Sequence, residues 1–317
     1  SDSLQAAIDA ALPGEIILVT NGVHSTGGRS AGGPTNRIVI DKALLVHSVN
    51  GPEFSIIQGA KDPAGTNGSA SIRCVWMGTN AILSGFTLKD GSTRTGASPA
   101  DGYGGGVWCP STNSVVVDCV VSNNSAQFGG GGLYQVAARN SRIVGNDGGG
   151  ARNSQLFNCV ISNNTMTYDH GAATYQCRMI NCLVVSNSNA SAGSPVYRGT
   201  LLNCTVVENI GGFYAGVVGA SLTNCIIWNN RVSGVTSNVF DCTGIYNCTD
   251  VLLPGAGNIT ADPEILSDSA HLSETSPCRG SGLASAMVGT DIDGEPWNEA
   301  TIGCDAWHPE LKFVVPL

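Results

Sequence analysis

Trp108, Tyr134, Arg152, Tyr175, Tyr197 and Tyr214 each follow a Gly-rich or small-residue turn, and they come round at nearly the same place in a repeating segment. Tyr134, Arg152, Tyr175 and Tyr197 lie seven residues ahead of the next repeat anchor, whereas Trp108 and Tyr214 lie eleven ahead. Facing outward, these side chains would form a ladder whose step is close to the length of one sugar in an extended β-linked chain. Sugar C–H groups would stack on the rings. The neighbouring Gln135, Asn153, Gln176 and Arg198 would bond to hydroxyls. Two features pull in opposite directions. Strand alternation through Val136 and Cys177, two residues on, puts the rings inside, but a guanidinium at Arg152 would lack a partner within a thin apolar coil.

A second chemistry is β-elimination on a uronate, which needs a base for the proton beside the carboxylate and calcium or Arg to neutralise that carboxylate. The charged residues of the central repeats that could supply it are Arg152, Asp169, His170, Arg178, Arg198 and Glu208, and they form no motif. His24, His47, His271 and His308 are scattered and read as surface or packing residues. Asp291, Asp293 and Gly294 look like a fragment of a calcium loop, but the twelve-residue ligand set is missing, so a plain turn is expected there. No cofactor and no metal ligand is assigned, and calcium, though left open, is not indicated.

The elements that must position these residues follow from self-similarity. VVVDCVVSNN, AARNSRIVGN, QLFNCVISNN, RMINCLVVSN, TLLNCTVVEN and SLTNCIIWNN align on Cys119, Ser141, Cys159, Cys182, Cys204 and Cys225, at spacings of 22, 18, 23, 22 and 21 residues. Such a period suits one coil of three short strands and three turns. Cys248 and Phe86 extend the series at either end. Apolar residues three before and two after each anchor, such as Leu156 and Ile161, read as core columns. Asn immediately before the anchors and five after them, as at Asn181 and Asn187, read as side-chain ladders, because a carboxamide carries both donor and acceptor.

One Cys per coil makes a column of thiols rather than a zinc tetrahedron, so the column is expected to be reduced and inert. Cys74, Cys109, Cys177, Cys242, Cys278 and Cys304 lie off the column; of these, Cys278 and Cys304 are the pair considered for a disulfide. The fold expected is all-β: a single right-handed parallel β-helix over residues 1–317, a solenoid with capped ends. Residues 1–14 would cap one end through an amphipathic helix from Ser3 to Ala11, and residues 261–317, which lose the repeat, would cap the other. The stretch 91–113 is too long for an ordinary turn and is a place where binding could reside.

Composition narrows the partners. With 42 Gly, 12% charged residues and 42% apolar ones, a sizeable ordered core is expected. A net charge of −9 leaves no basic patch for nucleic acid and disfavours densely anionic polysaccharides. No apolar run approaches the roughly 18 residues of a membrane span.

The NCxVxxN rungs, the GGGxY turn at Gly130 to Tyr134, PGAGNITADPEIL and the IDGEPW…IGCDA ending together resemble right-handed parallel β-helix proteins of the choice-of-anchor type, over nearly the whole chain. Similar helices occur among secreted polysaccharide lyases, pectin-degrading hydrolases and family 89 carbohydrate-binding modules, and the last implies xylan recognition. The NTD, paired Asp, GHG and RIK motifs that mark the pectinase type of hydrolase are absent. The expectation is a secreted, monomeric, non-catalytic binder of a plant cell-wall polysaccharide attached to a catalytic domain. A polysaccharide lyase is the alternative, and a structural spacer comes third.

Overall fold

The computed structural model describes residues 3–65, 67–96, 98–190, 193–214 and 216–308. Three residues per coil decide its shape. In the central coils the backbone enters the left-handed region at a first corner (Gln135, Asn153, Gln176, Arg198; φ 51 to 55°), a second (Asp118, Asn140, Asn158, Asn181, Asn203, Asn224; φ 47 to 53°) and a third (Asn123, Asn163, Ser186, Glu208, Asn229; φ 52 to 57°). Asn tolerates this conformation best after Gly, which is why Asn dominates the second corner and Gly145 fills a third-corner place.

Between corners run short strands that pair in parallel with the coil above. One stack runs from Thr35–Ile40 through Ile72–Met77, Val107–Trp108, Leu133–Tyr134 and Ala151–Arg152 to Thr174–Ile180, Val196–Leu202 and Val217–Thr223. A second includes Val115–Val117, Ala137–Arg139 and Gln155–Phe157, and merges with the first in the seven-residue strands. The third joins ten strands, among them Val120–Ser122, Val160–Ser162 and Ile226–Trp228. Nearly every pairing is parallel, and antiparallel pairs occur at Arg29–Ser30 and Arg231–Val232. The molecule is thus the all-β parallel solenoid that the repeat predicts.

The apolar columns fill the coil. Val116, Ala138, Leu156, Met179, Leu201 and Leu222 are fully buried, as are Val121, Ile143, Ile161, Val184, Val206 and Ile227. The thiol column is continuous: Cys182 meets both Cys159 and Cys204, and Cys204 meets Cys225. Burial and the neighbouring Cys182 push the Cys159 and Cys204 thiols well above their ordinary range. All twelve cysteines are free and buried. The disulfide considered between Cys278 and Cys304 does not form, because Cys278 packs with Cys248 and Ile302 while Cys304 sits against Leu183 and Val207.

The glycine run at 129–132 marks a place where coils pass very close, since a Cβ at Gly131 would stand 2.0 Å from the Asp147 carbonyl oxygen. At the N-terminal end the helix Leu4–Ala10, capped by the Ser3 hydroxyl on the Ala6 N–H, lays Leu4 and Ile8 into the main core. The C-terminal segment runs back along the side of the coil. Side-chain amides of the second-corner Asn residues hold it, from Asn224 on Leu283 through Asn203 on Ala286 to Asn181 and Asn158 on Thr290. No helix among the described residues is long and apolar enough to cross a membrane.

Candidate functional site

The first strand stack places one large side chain per coil in vertical register. Trp76 pairs with Trp108, Trp108 with Tyr134, Tyr134 with Arg152, Arg152 with Tyr175 and Tyr175 with Tyr197. The column then passes through Val218 to Phe240. Its seven steps at ~4.8 Å each make a strip about 34 Å long.

These side chains point out of the coil. Val75, Val107, Leu133, Thr174 and Val196, each one residue earlier, are fully buried. Simple alternation through Val136 and Cys177 fails because the intervening Gln135 and Gln176 are left-handed corners, φ 54° and 51°, which reset the side-chain direction. Val136 and Cys177 are therefore inside along with Leu133 and Thr174, while Tyr134 and Tyr175 are outside and half-buried.

Tyr214 does not belong to the column. Its coil contributes Val218, opposite Tyr197, and Tyr214 lies in the preceding turn, 41% exposed. Trp108 shares the eleven-residue offset yet stays in register, because the extra residues of Pro110–Asn113 are taken up in the corner after it.

Loops add a second layer. Of the stretch 91–113, Val107–Trp108 is a coil strand, and the remaining loop carries Tyr103, which stacks on Tyr134 at 4.7 Å and meets Phe128 edge-on at 5.8 Å. His170 stacks on Tyr197 at 4.0 Å and lies 6.3 Å from Tyr214, which in turn lies 5.3 Å from Phe240. Trp76 and Trp108 are near parallel at 6.1 Å.

Arg152 is the hinge of this face. Its guanidinium sits 3.7 Å from the Tyr175 ring centroid and 5.1 Å from that of Tyr103, and it pairs with Asp169 at 3.1 Å. The partner that a buried guanidinium requires is thus met from outside the coil. Asp169 also accepts from the His170 N–H at 2.8 Å. Burial, with Arg198 assisting, holds His170 below the usual imidazole range against the pull of Asp169. Burial pushes the Tyr134 hydroxyl up. Arg178 lies apart from the group, over Phe157 at 6.0 Å, and Glu208 lines a separate hollow with Arg231.

One consequence concerns ligand geometry. Arg152 covers a face of Tyr175 and His170 a face of Tyr197, so mid-column rings offer edges and hydroxyls rather than open faces. Open ring surface is concentrated at the C-terminal end of the strip, at Phe213, Tyr214 and Phe240, which are 72%, 41% and 55% exposed. A cleft of about 590 Å³ opens beside Phe128 and is also lined by Lys61, Gln127, Asp147 and Tyr168.

The fold has a solved counterpart. The chain is similar to pectate lyase Pel9A. The likeness has a TM-score of 0.59 at 14% identity and covers 96% of this chain and 91% of Pel9A. At that identity it shows the parallel β-helix and nothing of the site. Weaker likenesses are to a pectin methylesterase from Yersinia enterocolitica (14% identity, 81% of each chain, TM-score 0.35) and the Dettilon tailspike protein (15%, 74% of this chain and 54% of that one, 0.29). No family model matches the chain. No curated protein matches it either.

Sequence reading missed Trp76, Tyr103, Phe128 and Phe240, and it named His170 as a charged residue of the central repeats without placing it on Tyr197. Trp76 and Phe240 had a signal: an apolar residue followed by a ring, as in Val75–Trp76, Val107–Trp108 and Val239–Phe240. Tyr103 and Phe128 had none, since loop length alone does not say where a ring lands.

Proposed function

We propose that this chain is a non-catalytic carbohydrate-binding β-helix that holds a largely neutral plant cell-wall polysaccharide, xylan, along the Trp76 to Phe240 face. In this reading it is a secreted module of a larger polysaccharide-degrading enzyme. The observation that carries the reading is the outward column of one large side chain per coil, in unbroken parallel register from Trp76 to Tyr197. Its repeat suits an extended β-linked chain laid along the axis. Sugar rings stack at Tyr214 and Phe240, where ring faces are open, and Gln176 and Arg198, exposed at the first corner, bond to hydroxyls in the middle. Xylan is favoured by the resemblance to family 89 modules and by the net charge of −9, which works against polyanions.

Affinity electrophoresis in gels containing xylan, pectin or alginate tests this, read beside ultraviolet absorbance of unsaturated uronates. Retardation in xylan without new absorbance is expected, and Tyr214→Ala with Phe240→Ala should abolish most of it. Equal mobility in all three gels would sink the reading.

One observation favours a lyase as the second reading. His170 is held toward its neutral, basic form beside Arg198, with Arg152 and Asp169 next to it, which are the residue types that β-elimination requires. New absorbance on pectin or alginate, lost in His170→Ala, would replace the first reading with this one.

A further inference from the structure

The C-terminal segment gathers three carboxylates around one imidazole. Asp268 Oδ2 lies 2.5 Å from His271 Nδ1, and Asp293 Oδ2 lies 2.7 Å from His271 Nε2. Asp305 Oδ1 stands 4.0 Å from the same Nε2. Asp268 is further fixed by the Ala270 and His271 N–H groups, which donate to its Oδ1 at 3.1 and 3.0 Å. Asp305 is different in kind. Its residue is 2% exposed, its carboxylate faces the imidazole, and no group among the described residues donates a hydrogen bond to it.

A buried carboxylate without donors is expensive to keep unless a cation faces it. The imidazole is already shared between Asp268 and Asp293, so it cannot fully serve Asp305 as well. The arrangement is the one that metal-binding histidines adopt, with a carboxylate on one ring nitrogen setting tautomer and orientation and the other nitrogen turned to the ion. His271 Nε2, Asp293 and Asp305 have one ligand atom each within 4.8 Å of one another. The 2.7 and 4.0 Å separations from Nε2 bracket the ~3.3 Å expected between ligands of a tetrahedral ion bound at 2.0–2.1 Å.

We infer that His271, Asp293 and Asp305 form a binding site for one divalent transition-metal ion, with Asp268 orienting the imidazole. One imidazole with two carboxylates suits zinc or manganese better than calcium, which prefers an all-oxygen shell. The ion reaches the site directly from solvent, since the His271 and Asp293 side chains are 40% and 41% exposed.

The site is a staple. It joins three stretches far apart in the segment, at 268–271, 293 and 305, over the patch where Ala270 and Cys304 pack on Leu183 and Val207. The adjacent Asp291 is no part of it, because its carboxylate is taken by the N–H groups of Asp293, Glu295 and Ala306.

Isothermal titration of the chelator-treated protein with zinc chloride tests the site, with manganese and calcium chlorides in parallel. One zinc or manganese ion per chain, a raised melting temperature, and at least ten-fold weaker binding in Asp305→Asn are expected. Asp293→Asn, at a partly exposed position, supplies the same readout should Asp305→Asn fail to fold. Uptake of calcium alone, no uptake of any of the three, or unchanged affinity in a folded variant would overturn the assignment.

Discussion

The side-chain oxygen of Asn187 accepts two hydrogen bonds from Asn164, one from its amide and one from its backbone N–H, both at 2.9 Å. The same relation links Asn124 to Asn146, Asn146 to Asn164, Asn187 to Asn209 and Asn209 to Asn230. Each Asn therefore fixes the height of the next coil, and Asn146, Asn187, Asn209 and Asn230 also close their own third corner by donating to the carbonyl two residues earlier.

Asn187→Ala leaves the Asn164 backbone N–H buried without its side-chain acceptor, takes one of the two acceptors of the Asn164 amide, which keeps the Ile143 carbonyl, and removes the Asn187 amide donor to the Ile161 carbonyl. A loss of about 2–6 kcal/mol follows, at roughly 1–3 kcal/mol each for the Asn164 N–H and the Ile161 carbonyl. Asn187→Asp should be at least as damaging, since a carboxylate has no amide to donate and charge is costly there. Urea unfolding at pH 7 measures both; a loss below 1 kcal/mol would show that the ladder is not structural.

The buried thiols predict alkaline lability. Burial pushes Cys74, Cys119 and Cys177 up to about 12. An unfolded chain ionises its thiols above about 8.5 while the fold keeps them protonated, so this contribution is whole below that pH and is lost as pH rises toward 12. Each such thiol should remove about 1.4 kcal/mol per pH unit over that window. Unfolding midpoints at pH 8 and 10 measure the loss. Iodoacetamide at pH 8 should label none of the twelve cysteines in native protein and all of them in denaturant.

Ser186 is exposed and left-handed, with φ 57°. Ser186→Gly should be neutral or stabilising by up to about 1 kcal/mol, and Ser186→Val destabilising by about 1–2 kcal/mol, because a β-branched side chain crowds the carbonyl in that conformation. Thermal melts of the pair, differing in sign, would verify the corner geometry.

Arg152→Ala removes the ion pair to Asp169 and the stacking on Tyr175. The side chain is only 13% exposed, so the loss should reach about 1–2 kcal/mol. Arg152→Lys should recover less than half, since an ammonium cannot lie flat on the ring. Near-ultraviolet circular dichroism should change in both variants as Tyr103 and Tyr175 lose their partner. An unchanged aromatic spectrum would contradict the packing described.

The direction of the aromatic column illustrates what a pattern of residue types leaves open. Strand alternation counted from Val136 and Cys177 sends Tyr134 and Tyr175 inward, and only the left-handed backbone at Gln135 and Gln176 reverses it. Gln carries no signature for that conformation as Asn and Gly do, so the corner was silent in the chain. The same holds for Tyr214, displaced from the column by a loop whose length in one coil differs from that in the next.

By itself the sequence determined the solenoid, its period, the inward columns from Val116 to Leu222 and the Asn and Cys stacks. It could do so because identical side chains recur wherever a coil meets its neighbour, and only parallel stacking puts like on like at every step. The tertiary structure alone decided which rings face solvent, that Tyr103 and His170 cover the column, and that His271 meets Asp293 and Asp305. Those contacts join non-repeating loops and a tail that folds back along the coil, and their geometry is set by packing against a finished scaffold.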